Sequence, residues 1–190
     1  MKNCCIIFLL SIIISVMALG FGGVFESEGG RYAMNEQAAS QNGEYLRIHI
    51  RADSNENAAQ AVKYKVRDRV VEYLTPLVAS YESKEASMQG VRKNLQKIAQ
   101  VATQVLREEG FSYDATACLE EEYFPTRVYG EYTLPAGTYS ALILRLGSGE
   151  GDNWWCVVYP PLCFAATDAD VVYKSKIIEI IEDWKKKKER

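Results

Sequence analysis

The apolar residues between Glu44 and Phe164 change their spacing at Gly110, and this change constrains the fold more than any other feature of the chain. Ahead of it Val62, Val66, Val70, Leu74 and Leu77 recur at three- and four-residue steps, and so do Val91, Leu95, Ile98, Ala102 and Val105. Those steps stack side chains on one face of an α-helix. Beyond it the step is two, with Tyr113, Ala115, Ala117 and Leu119 alternating as in a strand. Two long helices beside a block of strands require layered α+β packing.

The elements can be drawn one by one. Leu46, Ile48 and Ile50 alternate with Arg47, His49 and Arg51, which predicts a half-buried first strand with a basic outer face. Asp53, Ser54 and Asn55 offer capping side chains to the first helix, which should end around Pro76, and Gly110 should stop the second. After the Tyr113 run, strands are expected over Thr126–Leu134, Thr138–Leu146 and Trp154–Tyr159, separated by Pro135-Ala136-Gly137 and the Gly147–Gly151 loop. The last two runs are almost wholly apolar, so both should be central strands covered on both faces. Pro160 and Pro161 end the final run, and Ile177, Ile178, Ile181 and Trp184 mark a terminal amphipathic helix. The expectation is a single α+β domain in the order β-α-α-β-β-β-β-α. It should hold a mostly antiparallel sheet of about five strands with two or three helices.

The amino-terminal end follows different physics. No side chain from Cys4 to Phe25 is charged, and Ile, Leu, Phe and Val dominate. At ~1.5 Å per residue that run crosses a ~30 Å hydrocarbon core. Lys2 precedes it and Glu26 and Glu28 follow, so the remainder should lie outside the cytoplasm. Ala18 and Gly20 allow a cut before Phe21, while continuation to Phe25 suits an uncleaved anchor; both fates stay open. Residues 1–25 are thus a signal peptide or anchor, 26–43 a polar linker rich in Gly, Ser, Asn and Gln, and 44–190 the domain.

The chain has 22 basic and 25 acidic side chains, a balance that argues against nucleic acid as a partner. The Lys185–Lys188 run with Arg190 suits either anionic head groups or the carboxyl end of a helix, and the N-terminal segment is a further contact with a membrane surface. Of five cysteines, Cys118, Cys156 and Cys163 lie in the domain. In an oxidising compartment Cys156 and Cys163, flanking Pro160-Pro161, are the candidate disulfide.

Catalytic sets are sparse. His49 is the single histidine, and no spacing of His, Cys, Asp or Glu around it resembles a metal site; no metal, cofactor or catalytic residue is expected. His49 reads as a surface residue of a strand. Glu120, Glu121 and Glu122 read as a solvated edge, and Ser148 as a hairpin residue. The unusual feature is Asp152-Asn153-Trp154-Trp155 after a glycine-rich loop. The two tryptophans must face opposite sides of a strand, and an exposed one is a natural interaction anchor. Tyr129, Asp152, Asn153, Trp154 and Trp155 are therefore the candidate partner-binding residues. A competing reading is an exported hydrolase of peptide or cell wall using His49, Asp53 and a cysteine; a third is a passive structural protein.

Several blocks together resemble the stage II sporulation protein R family. They are Arg51-Ala52-Asp53-Ser54-Asn55, Lys63-Tyr64-Lys65-Val66-Arg67-Asp68, Phe124-Pro125-Thr126-Arg127-Val128-Tyr129-Gly130, Leu134-Pro135-Ala136-Gly137-Thr138-Tyr139 and the stretch from Gly151 through Trp154-Trp155-Cys156 to Pro160-Pro161-Leu162-Cys163-Phe164. Ala58 and Ala59 depart from it, standing where acidic residues are usual, and the terminal helix is similar only in pattern. The resemblance implies a signalling protein of endospore formation, exported from the forespore into the space between the forespore and mother-cell membranes. Its implied partner is a membrane-embedded aspartic protease of the mother-cell septal membrane, the stage II sporulation protein called GA, which processes pro-sigma-E.

Overall fold

The computed structural model describes residues 43–129, 132–164 and 171–190, the last helix by its backbone alone as far as residue 176. The apolar run Cys4–Phe25 lies outside the described residues. Among the described ones, no helix is long and apolar enough to cross a membrane.

The chain runs β1 (Leu46–Arg51), α1 (Asn57–Val78), α2 (Lys84–Glu108), β2 (Ala115–Phe124), β3 (Arg127–Tyr129), β4 (Tyr132–Leu134), β5 (Gly137–Leu146), β6 (Asn153–Tyr159) and α3 (Val171–Lys188). Strands β2-β5-β1-β6 form one sheet, in which β1 and β5 are parallel and the other neighbours antiparallel. This is the expected α+β domain, with one run divided. Thr126–Leu134 folds back on itself as the β3–β4 ribbon, pairing Tyr129 with Tyr132.

The helices begin and end for identifiable reasons. Ser83 caps α2, its hydroxyl accepting from the Ala86 N–H at 3.1 Å. Gly110 ends α2 with φ +84°, while Gly110 N–H bonds Arg107 C=O and Phe111 N–H bonds Leu106 C=O, a Schellman closure. No side chain caps α1, because Asp53 and Asn55 are engaged elsewhere.

The sheet separates two apolar layers. On one face Leu46, Ile48, Ile50, Leu142, Leu144 and Val158 meet Val62, Val66, Val70 and Leu74 of α1 and Val91, Ile98, Ala102 and Val105 of α2. On the other, Tyr45, Phe124, Leu134, Tyr139, Ala141, Ile143 and Val157 gather with Trp184 of α3. Each large aliphatic side chain buried this way contributes about 1.5–3 kcal/mol. The second layer overturns the reading of β1 as half-buried. Arg47 is 0% exposed and His49 4%, because Phe124, Tyr139 and Tyr129 of the β3–β4 ribbon surround the Arg47 guanidinium and Phe124, Trp155 and Glu122 surround the His49 ring. The arrangement also corrects the place of β6: β5 and β1 are the central strands, and β6 lies at a sheet edge beside β1. Its outer side is closed locally by the chain returning after Pro160-Pro161, where the Val157 N–H bonds Cys163 Sγ at 3.3 Å.

Candidate functional site

Two loops distant in sequence interlock at one end of the sheet. Asp53 Oδ1 accepts from the Ser148 N–H at 2.7 Å, and Ser148 Oγ donates to the Asp53 carbonyl at 2.7 Å. Asn55 Oδ1 accepts from the Asp152 N–H at 2.6 Å, and the Gly151 N–H bonds the Ala52 carbonyl at 2.8 Å. Glycine is required here by space. A Cβ on Gly147, itself at φ +57°, would collide with the Asp53 carboxylate, and one on Gly151 would collide with the Ser54 carbonyl. The side chains expected to cap α1 therefore close this loop pair instead.

Beneath the loops lies Lys63, 1% exposed, whose Nζ donates to Gln60 Oε1 at 2.7 Å and to the Asp152 carbonyl at 3.0 Å. Burial lowers its pKa, with the Asp152 charge opposing. Gln60 is fixed in turn by donating to the Ser54 carbonyl at 2.8 Å. The result is a loop whose main chain is pinned while the side chains of Asp152 and Asn153 are exposed.

The tryptophans diverge as strand geometry demands. Trp154 packs on the helical layer, with the Arg67 guanidinium 5.8 Å from its ring. Trp155 lies on the opposite face, its ring 5.3 Å from that of His49 and capped by the Arg127 guanidinium at 4.2 Å. Both are half-buried. Tyr129 is drawn inward, its hydroxyl accepting from Arg47 at 2.7 Å, so its ring and hydroxyl support a buried arginine. That guanidinium also lies 4.0 Å from the Phe124 ring centroid, and burial pulls its pKa down against the opposing pull of Tyr129.

A charged row crosses the Trp155 face. His49 Nδ1–H donates to Glu122 at 2.7 Å, and Arg51 pairs with the same carboxylate. Arg145 pairs with Glu120 at 3.0 Å and donates to Cys118 Sγ at 3.1 Å, while the Cys118 thiol donates to Glu120 at 2.9 Å. Glu120 and Glu122, two apart on β2, thus share a face and serve this row, which the reading of the glutamate run as a solvated edge missed. The signal was present in β1, whose alternating bases needed acids at the same period.

This row is not poised for nucleophilic catalysis. Burial, opposed by a hydrogen bond to Asn153 and helped by Arg51, Arg145 and Arg47, pushes His49 down to about 4, so the ring is neutral at ordinary pH. Burial and Glu120 push the Cys118 thiol up. Ile143 of β5 is the register partner of both His49 and Cys118, so those two stand two strand spacings, roughly 10 Å, apart. Asp53 is occupied with Ser148. Cys156 and Cys163 are paired, their Cα atoms 6.2 Å apart. A cavity of about 540 Å³ between α1 and α2 is lined by Tyr73, Pro76, Leu77 and Val101, away from all of these. Among the described residues no group of three His, Cys, Asp or Glu side chains is placed to hold a metal ion.

Comparison with known proteins bears on the same segments. A family model described as stage II sporulation protein R matches residues 42–169, from the approach to β1 through β6 to the threshold of α3. The chain belongs to the stage II sporulation protein R family. A curated family member, stage II sporulation protein R of Bacillus subtilis (strain 168), is 36% identical over 119 residues. The match covers 63% of this chain and 53% of that relative, so the chain spans about half the length of the curated relative it matches. No solved structure matches. The two interlocked loops fall inside the family match, and α3 falls beyond it.

Proposed function

We propose that this protein is a secreted signal of endospore formation. In this reading it is exported from the forespore and activates, from the intermembrane space, the membrane-embedded aspartic protease called stage II sporulation protein GA, which processes pro-sigma-E in the mother cell. Membership of the family supports a role in sporulation. The observation that carries the rest is the pinned loop. Asp152 and Asn153 are presented to solvent on main chain held by Asn55, Lys63 and Ala52, flanked by two half-buried tryptophans. A rigid polar tip beside aromatic anchors suits protein recognition, because little ordering entropy is lost on docking. An activating ligand works by binding one receptor state better than another, and needs no chemistry of its own.

The hydrolase alternative gains nothing from the same geometry. His49, Asp53 and the cysteines each have a different partner, and the histidine is neutral with its Nδ1–H directed at Glu122. The test is the double substitution Asp152→Ala with Asn153→Ala in the exported protein. Processing of the sigma precursor should be lost while the melting temperature is kept. Processing at the native rate would end the proposal.

A further inference from the structure

The sheet has one long edge that nothing among the described residues covers. Strand β2 pairs only with β5, in unbroken register from Ala115↔Leu146 to Phe124↔Gly137. The parity of that ladder can be read from its end. The Gly147 N–H bonds the Asp114 carbonyl, and these two residues stand directly opposite one another. Residues two, four, six and more further along β2 therefore also point their main-chain groups at β5. The odd-numbered residues point theirs outward, and Ala115 agrees, since its N–H leaves the sheet to bond Thr103 Oγ1 at 2.9 Å. Ala117, Leu119, Glu121 and Tyr123 then present a row of outward N–H and C=O groups with no main-chain partner among the described residues.

Exposed edges are normally blunted by proline, a bulge, lysine or a covering element. Strand β2 has no proline or register shift, its charges are the three glutamates 120–122, and among the described residues only its first N–H is capped. At its far end Tyr123 is 67% exposed, and Val128, just beyond on β3, is 66% exposed. The side chains choose between occupants. Glu120 and Glu122 are already matched by Arg145, Arg51 and His49, while Glu121 is exposed and, among the described residues, has only the Ser140 hydroxyl against it. A second copy pairing antiparallel through this edge would set glutamates against glutamates.

We infer that β2 receives an extended segment of a protein partner as a fifth strand. Its main chain would bond Ala117 to Tyr123, a basic side chain would lie opposite Glu121, and an apolar one would lie beside Tyr123. This rests on the proposed function for the identity of the partner, the protease, and adds a second contact surface at the sheet edge opposite β6.

The test compares variants of one exposed residue in the full chain, binding to membranes that carry the protease. Glu121→Thr keeps the outward N–H and should bind within about threefold of the native protein. Glu121→Pro removes that N–H without touching the β5 ladder and should weaken binding at least about tenfold. Far-ultraviolet circular dichroism checks that the proline variant is folded. If it is not, Glu121→Lys, which keeps the N–H and reverses the charge, decides in its place, with a loss of at least about tenfold expected. Native-strength binding by the deciding variant overturns the edge inference alone. Equal losses for Thr and Pro overturn it too, because the side chain would then be the contact. No binding by the native protein removes the partner itself, and both proposals fall.

Discussion

Lys63 Nζ, on the buried side of α1, donates to the carbonyl oxygen of Asp152 at 3.0 Å and so ties the first helix to the loop that presents Asp152 and Asn153. Among the described residues the lysine has no carboxylate at that distance; Gln60 Oε1 and a main-chain carbonyl hold it. Replacing it with methionine keeps the volume and removes the donor, leaving Gln60 Oε1 without that partner and the Asp152 carbonyl with the Ala52 N–H at 3.4 Å alone. Lys63→Met should therefore cost about 1–3 kcal/mol in urea denaturation. It should also speed amide exchange in residues 147–153. Unchanged exchange in that loop would mean the lysine does not hold it.

Two glycines should respond differently to the same change. Gly151→Ala drives a methyl into the Ser54 main chain, which can yield only by opening the loop pair. Gly110 has φ +84° with open space around it, so Gly110→Ala meets only the left-handed penalty of about 1–2 kcal/mol. Thermal unfolding should rank Gly151→Ala as the more damaging, and only that variant should lose signalling.

His49 makes stability depend on pH. Its folded value of about 4 lies below the ordinary 6.5, so the unfolded chain binds more protons between those limits. Stability is full above about pH 6.5 and falls as the pH drops toward 4, by up to about 3 kcal/mol. Glu120, also held low in the fold, loses its contribution as the pH falls below about 4.5, overlapping only the acidic end of that window. His49→Asn should flatten the pH profile between 4 and 6.5 and leave the more acidic limb in place. Parallel profiles for the two proteins would contradict the burial of a neutral ring.

Thiol chemistry separates the cysteines. With Cys156 and Cys163 paired, alkylation of the native protein should label Cys118 alone among the three cysteines of the domain, and slowly, because burial and Glu120 keep it protonated. Breaking the pair with Cys163→Ser should cost roughly 2–3 kcal/mol, the loop being short. Labelling of Cys156 or Cys163 in the native protein would exclude the bridge.

Local pattern was enough to draw the helices, the order of the elements and the opposed tryptophans, since each depends on residues a few positions apart. What escaped it depends on covers from afar. The Arg47–His49 face looked solvated because the aromatic side chains that bury it, Phe124, Tyr129, Tyr139 and Trp155, come from far along the chain. Asp53 and Asn55 looked like helix caps because the same side chains close a loop equally well, and only the position of Gly147–Asp152 decides between the two. The exposure of Asp152 and Asn153 was legible from the loop composition. The rigidity of that loop was not, since Lys63 supplies it from 89 positions away.

The central claim is that this protein acts by presenting a surface to the protease. The direct measurement is reconstitution, with the purified full chain added to membranes holding the protease and pro-sigma-E cleavage followed over time. Cleavage should rise with added protein, saturate, and vanish for the Asp152→Ala, Asn153→Ala variant. Cleavage that proceeds equally without the protein, or that survives the loop substitutions, would contradict the account.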